Sequence, residues 1–145
     1  MSNQELIKIE QKDFISRTFL IWEESSNKIY EYAKLKGVPY IHVLQPNRHQ
    51  VGSKPLSTEE LYGNNANKKP LARPLSVSIE RHYDSLDMSN LIAEYKIDQR
   101  SLFITEERTV YSDQCCHFNK LGMETIIDDI MIKAEPVFRK LTVDK

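Results

Sequence analysis

The sequence predicts an α/β fold in which helices pack against a parallel sheet. Three observations point to it: an amphipathic segment at 14–36, a glycine at position 37, and the apolar run "VPYIHVL" at 38–44. A helix, a tight turn and a continuous apolar strand in that order are the unit of an α/β layer. With 145 residues, 40% of them apolar and 28% charged, the chain suits one globular domain, 1–145, with a candidate flexible N-terminus at 1–13.

The first predicted element is a helix over residues 14–36. Gly37 follows it at the position of a left-handed C-terminal cap. Apolar residues recur along the segment with approximately helical spacing and mark its inner face: Ile15, Phe19, Trp22, Ile29, Tyr30 and Ala33.

The apolar run at 38–44 predicts a buried strand that ends at a polar loop, because Pro46 lacks a backbone donor and Asn47 favours a turn. Gln45 and Asn47 follow the carboxyl end of this strand, the side on which open α/β sheets bind ligands. They are therefore candidate substrate-binding residues, expected to face the same crevice as His117. The alternative is that Asn47 only satisfies the backbone of the turn.

This strand is expected to be parallel to its neighbour and to lie between helix 14–36 and a second helix at 76–95. Its two faces are predicted to carry Tyr40 with His42, and Ile41 with Val43. We interpret His42 as a core or crevice histidine that hydrogen-bonds its neighbours, rather than as a ligand.

Further elements follow from local signals. Ser57 and Glu60 form a capping-box pattern, so a helix is expected to begin at Thr58. Residues 62–74 are polar and rich in Gly, Asn and Pro, and they predict an exposed loop. The second long helix, 76–95, has a predicted inner face of Ile79, Tyr83, Leu86, Leu91 and Tyr95.

The last part of the chain predicts a short strand at 109–111 and a helix that begins after Asn119, an N-cap candidate. Pro136 is expected to limit this helix. Its predicted apolar stripe consists of Leu121, Met123, Ile126, Ile127, Ile130 and Met131.

Charge and hydropathy bear on the partners. The formal net charge is −1, and acids and bases are mixed, so neither nucleic acid nor anionic lipid is an expected partner. No apolar run approaches the roughly 20 residues that span a bilayer, so no transmembrane segment is expected. The N-terminus lacks the apolar core of a signal peptide, so the chain as written is expected to be cytoplasmic.

The two cysteines are the neighbours Cys115 and Cys116. Vicinal side chains diverge, so a disulfide between them is disfavoured. Together with His117 they have zinc-ligand chemistry, but three successive residues converge poorly on one tetrahedral ion, and no second Cys/His pair follows. We interpret the cysteines as small buried hydrophobes and expect neither metal nor cofactor.

Asp113 and His117 are the candidate catalytic residues. They fall in a loop between the predicted strand and the last helix, where α/β enzymes place working groups. A histidine can act as a general base, and a nearby carboxylate can hold its imidazole in the useful tautomer. A structural or incidental pair remains the alternative.

Three segments together resemble a known family. "HVLQPN" at 42–47, "GSKPLSTEE" at 52–60 and "YSDQCCHFNKLG" at 111–122 are similar to the C-terminal half of SGNH (GDSL-type) hydrolases, over most of the chain from Trp22 to Ile130. The resemblance implies a partial three-layer α/β/α sandwich with a flavodoxin-like parallel sheet, and hydrolysis of acyl or acetyl esters. It also implies that His117 is the general base of a Ser-His-Asp triad.

The chain departs from the family in two places. The triad acid usually lies three residues before the histidine, where this chain has Gln114, and Asp113 is the nearest acid. The GDS block that carries the nucleophile in the family does not occur in this sequence. The resemblance therefore implies half of an enzyme, supplied by truncation, a split gene or a frameshift, and inactive without the GDS-containing half.

Two other hypotheses remain. The chain could be a non-catalytic α/β remnant that serves as a binding or interaction module, with its apolar faces covered by a partner. A self-contained hydrolase could instead use Cys115 or Cys116 with His117, although adjacent residues seldom reach the geometry for attack. The expected partners are an ester substrate if the missing half is present, and a complementing chain or a second copy of this chain.

Overall fold

The computed structural model describes residues 11–50, 52–63, 83–84, 86–113 and 117–143. Within these ranges the elements in chain order are helix α1 (Gln11–Leu35), strand β1 (Ile41–Leu44), helix α2 (Thr58–Tyr62), a 3-10 turn (Met88–Asn90), strand β2 (Tyr95–Asp98) and helix α3 (Lys120–Val143). None of the helices in these ranges is long and apolar enough to cross a membrane.

The two strands form a parallel pair, which confirms a mixed α/β fold. Ile41 is opposite Tyr95, and the register continues to Leu44 opposite Asp98. Burial along β1 alternates, with His42 and Leu44 buried and Ile41 and Val43 half-buried. The strand is therefore shorter than the predicted 38–44, and its burial is less continuous than expected.

Helix α1 packs on the face of β1 that carries His42. The Oγ of Ser26 lies 2.7 Å from His42 Nδ1, and the Trp22 ring meets the His42 ring edge to face at 4.8 Å. Tyr40 also hydrogen-bonds this histidine, so Tyr40 and His42 share one face as predicted. His42 is thus a buried core histidine.

Helix α3 packs against the other face, through side chains of β2 and the residue that follows it. Lys140 Nζ donates to the Tyr95 hydroxyl, and Gln99 Nε2 donates to the Ile126 carbonyl and to Asp129 Oδ2. Side chains alternate between the two sides of a strand, so Tyr95 and Gln99 point to the same side. In this register it is the side opposite His42. The two long helices therefore cover opposite faces of the strand pair.

The first helix agrees closely with its prediction. It begins at Gln11 rather than at 14, and Gly37 ends it with a φ of 65°, the left-handed conformation expected of a glycine cap. The Val38 amide donates to the Ala33 carbonyl and closes the last turn. Ile29, which was expected on the inner face, is exposed.

The predicted helix at 76–95 is wrong from Leu86 onwards, whereas Tyr83 and Asp84 are helical as predicted. Asp87 caps a 3-10 turn by accepting a hydrogen bond from the Ser89 amide, and an extended segment follows it. Tyr95 then begins β2, because pairing with β1 outweighs a helical apolar spacing that placed Leu91 and Tyr95 on one side. Residues 64–82 lie outside the described ranges.

Helix α3 differs from its prediction in length and in burial. It continues through Pro136 to Val143, because the buried side chains of Ala134 and Val137 pack on both sides of the proline. Of the predicted stripe, Ile126 is buried and its neighbours Leu121 and Ile130 are partly buried. The remaining members are exposed: Met123, Ile127 and Met131.

A hydrophobic cluster connects α3 to the segment before it. Phe103, Val110, Tyr111 and Ile126 are buried together, and Phe118 packs against them with its ring 5.1 Å from that of Tyr111. The predicted strand at 109–111 is reduced to an isolated antiparallel bridge between Tyr111 and Phe118. The cluster holds both ends of the loop that carries the candidate catalytic residues.

Candidate functional site

The loop between Tyr111 and Phe118 is closed at its base like a hairpin. Tyr111 and Phe118 form the antiparallel bridge, and the Ser112 amide donates to the His117 carbonyl at 2.9 Å. One residue further out, the Asn119 amide donates to the Val110 carbonyl at 2.8 Å. These bonds bring Asp113 and His117 to opposite sides of the same loop base.

Asp113 and His117 are in hydrogen-bonding contact, as predicted. Asp113 Oδ2 contacts His117 Nδ1, and Asp113 Oδ1 accepts a hydrogen bond from the His117 amide at 3.2 Å. The acid one position before the family's usual place therefore reaches the ring. A carboxylate at Nδ1 fixes the orientation of the imidazole and favours the tautomer that leaves Nε2 free to accept a proton.

The pair is open to solvent. The His117 side chain is 76% exposed and the Asp113 side chain is 40% exposed. Nε2 of His117 makes no hydrogen bond to any of the described residues. The geometry thus leaves a basic nitrogen accessible to a reacting group, and any cover over it would have to come from atoms outside the described ranges.

The N-terminus of α3 supports one side of the loop. Asn119 caps the helix as predicted, with its Oδ1 accepting from the Gly122 amide and its Nδ2 donating to the Thr109 carbonyl at 2.7 Å. Gly122 lies against the Val110 carbonyl oxygen so closely that a β-carbon there would collide with it. The sequence "FNKLG" therefore joins helix and loop through a cap and a close backbone approach.

Arg48 supports the loop from the other side. Its side chain is buried, and its two terminal nitrogens donate to the backbone carbonyls of Asp113 and Glu60. The donor and the Asp113 acceptor are 65 positions apart in sequence. Sequence reasoning missed this residue, because a single arginine after a turn usually indicates an exposed cation.

Glu60 joins α2 to the same network. It closes the predicted capping box with Ser57, and its Oε1 also accepts the amides of Val110 and Tyr111 at 2.9 and 3.0 Å. Its Oε2 pairs with Lys54 Nζ at 2.9 Å, and neither side chain is exposed. The sequence signal for the cap was present, but nothing in it indicated the link to the loop 50 residues later.

The electrostatics of Glu60 follow from these contacts. Burial by itself raises the pKa of the Glu60 carboxyl, but the hydrogen bond from Lys54 and those from the backbone of Ser57, Val110 and Tyr111 oppose it. Together they hold the pKa below its usual value of 4.5. Glu60 is therefore a buried carboxylate ion that anchors the strand leading into the loop.

Arg48 connects the turn that follows β1 to the loop that carries Asp113. Within the turn, Asn47 Oδ1 accepts the His49 amide at 2.8 Å, and the Asn47 carbonyl accepts from Ser53 Oγ. This Asx turn is the structural role that was the alternative for Asn47. Gln45 is exposed at the strand end, and its carbonyl accepts from the Tyr83 hydroxyl. Substrate contact by Gln45 and Asn47 stays a prediction.

The remaining candidate residues have different outcomes. Cys115 and Cys116 lie outside the described residues, so their predicted burial is untested. In the part of the chain that is described, no group of three or more His, Cys, Asp or Glu side chains could hold a metal ion. His42 belongs to the core, and its burial lowers the pKa of the imidazole.

Comparisons with known proteins add no family to this picture. No family model matches the chain, and neither a curated protein nor a solved structure does.

Proposed function

We propose that the chain provides the Asp/His part of a Ser-His-Asp triad in an SGNH-type ester hydrolase. The observation that carries the proposal is the contact between Asp113 Oδ2 and His117 Nδ1. A carboxylate bound to one ring nitrogen, with the other nitrogen open to solvent, is the arrangement that a general-base histidine requires. The sequence resemblance contributes the reaction class, acyl or acetyl ester hydrolysis.

The fold is compatible with a finer proposal, a partial three-layer α/β/α sandwich with a flavodoxin-like parallel sheet. Two observations support it: β1 and β2 are parallel, and α1 and α3 cover opposite faces of the pair. In such sheets the ligand site lies beyond the carboxyl ends of the strands. Arg48, four residues after the end of β1, contacts the Asp113 loop on that side.

The proposed chemistry uses His117 twice. Nε2 takes the proton of a serine hydroxyl as that oxygen attacks the ester carbonyl, and it then gives the proton to the departing alcohol. Asp113 stabilises the imidazolium through the Nδ1 hydrogen. A water molecule, deprotonated by the same nitrogen, then attacks the carbonyl of the acyl-serine ester. The bond to the serine oxygen breaks, Nε2 returns the proton to that oxygen, and the acid is released.

The serine belongs to the part of the enzyme that the resemblance places upstream. No GDS sequence occurs in the 145 residues. We therefore propose that a GDS-containing half, whether in the same polypeptide or a separate one, completes the site. Gln45 and Asn47 are the proposed substrate contacts on this side, Gln45 through its exposed side chain and Asn47 through its amide nitrogen.

A labelling experiment tests the proposal. The 145-residue chain should not react with a serine-directed fluorophosphonate, and an added polypeptide that carries an SGNH-type GDS block should become labelled only in its presence. His117→Ala should prevent that labelling, whereas Lys120→Ala, a change at an exposed neighbour, should not. Stoichiometric labelling of a serine in the isolated chain would overturn the half-enzyme proposal.

A non-catalytic interaction module is the alternative, and exposed apolar residues on both long helices favour it. Leu35 on α1 is 80% exposed and Ile132 on α3 is 74% exposed. Surfaces of this kind are typical of protein contacts when they are contiguous. A partner that binds the chain equally well with His117→Ala, and that produces no ester hydrolysis, would favour this alternative.

A further inference from the structure

Arg48 is placed differently from the other described cations near the loop. Its guanidinium is buried and donates to two backbone carbonyls, one on Asp113 and one on Glu60. Lys54, the other buried cation of the network, pairs with the Glu60 carboxylate and donates to the Pro55 carbonyl. Arg48 is thus the cation through which the network touches the residue that orients His117.

The position of the Asp113 main chain determines where the Asp113 carboxylate lies. The carboxylate of Asp113 is separated from its own backbone by a single methylene, so a shift of the main chain moves the carboxylate with it. The loop base is already fixed on the His117 side by the Ser112 amide, which donates to the His117 carbonyl. A donor at the Asp113 carbonyl therefore sets the spacing between the carboxylate and the imidazole.

The chemistry of the guanidinium suits this task. Its donors are held in a rigid planar fork, so one side chain can hold two acceptors at a fixed separation. Hydrogen bonds from a charged donor are about twice as strong as neutral ones. The Glu60 carbonyl belongs to α2, so Arg48 connects the Asp113 loop to this helix. The N-terminus of α2 is itself capped.

We propose that Arg48 is a positioning residue for the dyad, which holds the Asp113 main chain so that the carboxylate meets His117 Nδ1. The inference rests on the proposed function for its catalytic meaning, but the positioning itself is a property of this chain alone. Removing Arg48 should leave the fold in place and release the contact between Asp113 and the imidazole. The neutral ring would then lose its preference for a proton on Nδ1.

Nitrogen-15 NMR of the imidazole measures that preference directly, since the two ring nitrogens have different shifts when protonated. At a pH at which the ring is neutral, the 145-residue chain should show Nδ1–H as the main tautomer of His117, and Asp113→Ala should make it the minor one. Arg48→Met should match Asp113→Ala. Val137→Ala, which disturbs a buried position of α3 away from the loop, should keep the wild-type tautomer at lower thermal stability.

A second variant keeps the test decisive if Arg48→Met does not fold. Arg48→Gln has a neutral amide that can donate to only one of the two carbonyls, and it should show an intermediate tautomer ratio. An unchanged Nδ1–H population in whichever of these variants folds would overturn the positioning role. The tautomer measurement does not need the catalytic serine. If the variants shift the tautomer as expected but the completed protein does not hydrolyse esters, the proposed function is wrong and the positioning role stands.

Discussion

Lys54 Nζ and Glu60 Oε2 lie 2.9 Å apart, and neither side chain is exposed to solvent. A buried pair of this kind is strongly destabilised when one partner is removed, because the other charge is left without compensation. We expect Lys54→Met to lower the free energy of unfolding by about 3 kcal/mol, measured by urea denaturation. The exposed Lys120, near Glu124, is the control, and Lys120→Met should cost less than about 0.5 kcal/mol.

The double variant Lys54→Met/Glu60→Gln separates the charge effect from the other bonds of Glu60. Glutamine keeps an oxygen that can accept the Val110 and Tyr111 amides but carries no charge. The double variant should therefore cost clearly less than the sum of the two single changes. Additive losses would show that the pair does not couple across the buried contact.

The pH dependence of stability should include a contribution from Glu60. Its pKa is lowered in the folded protein, so the contribution is present above the unfolded value of about 4.5 and is lost as the pH falls through the folded pKa. The stability advantage of wild type over Glu60→Gln should accordingly shrink between pH 6 and pH 3. An advantage of Glu60 that is constant with pH would contradict the assignment.

Gly122→Ala should be destabilising, which is the reverse of the usual effect in a helix. Alanine is normally favoured over glycine in a helix interior by about 1 kcal/mol. Here the added β-carbon would collide with the Val110 carbonyl oxygen, so we expect a net loss of roughly 1–3 kcal/mol. Thermal unfolding measures it. An increase in stability, such as a propensity effect alone would give, would mean that the helix does not approach the loop so closely.

Pro136→Ala should stabilise α3. The proline lies inside the helix and is exposed, and its ring removes one backbone hydrogen bond there. Replacement by alanine should raise the free energy of unfolding by roughly 1–3 kcal/mol. The neighbouring change Glu135→Ala removes only an exposed ion pair with Arg139 and should have little effect. A loss of stability in Pro136→Ala would indicate that the proline shapes the contact made by Val137.

The parts of the fold that local signals determine were predictable. Three such signals act within a few residues, and each forms as predicted: the capping box of Ser57, the N-cap at Asn119 and the glycine at the end of α1. Strand β2 was not predicted because Leu91 and Tyr95 also fit a helical apolar spacing, and the alternation in "YKID" is only four residues long. Its pairing with β1 decides in favour of the strand. Continuation of α3 past Pro136 likewise depends on tertiary packing.

The candidate site likewise contains contacts that the sequence predicts and contacts that it does not. Asp113 and His117 are four positions apart, so a loop contact between them could be anticipated from sequence. The contact that Arg48 makes with Asp113 spans 65 positions, and no pattern around Arg48 distinguishes it from an exposed arginine. Long-range polar contacts of this kind appear only once the chain is folded.

Ester hydrolysis by the completed protein tests the central claim most directly. The rate of p-nitrophenyl acetate hydrolysis should be measured for the chain mixed with a polypeptide that carries the GDS block, in wild type and in the variants His117→Ala and Asp113→Ala. We expect the mixture to be active, each variant to lose a factor of about 10⁴ or more, and the isolated chain to be no faster than its own His117→Ala variant. An active mixture that keeps its rate without His117, or an isolated chain that hydrolyses the ester through His117 alone, would contradict the account.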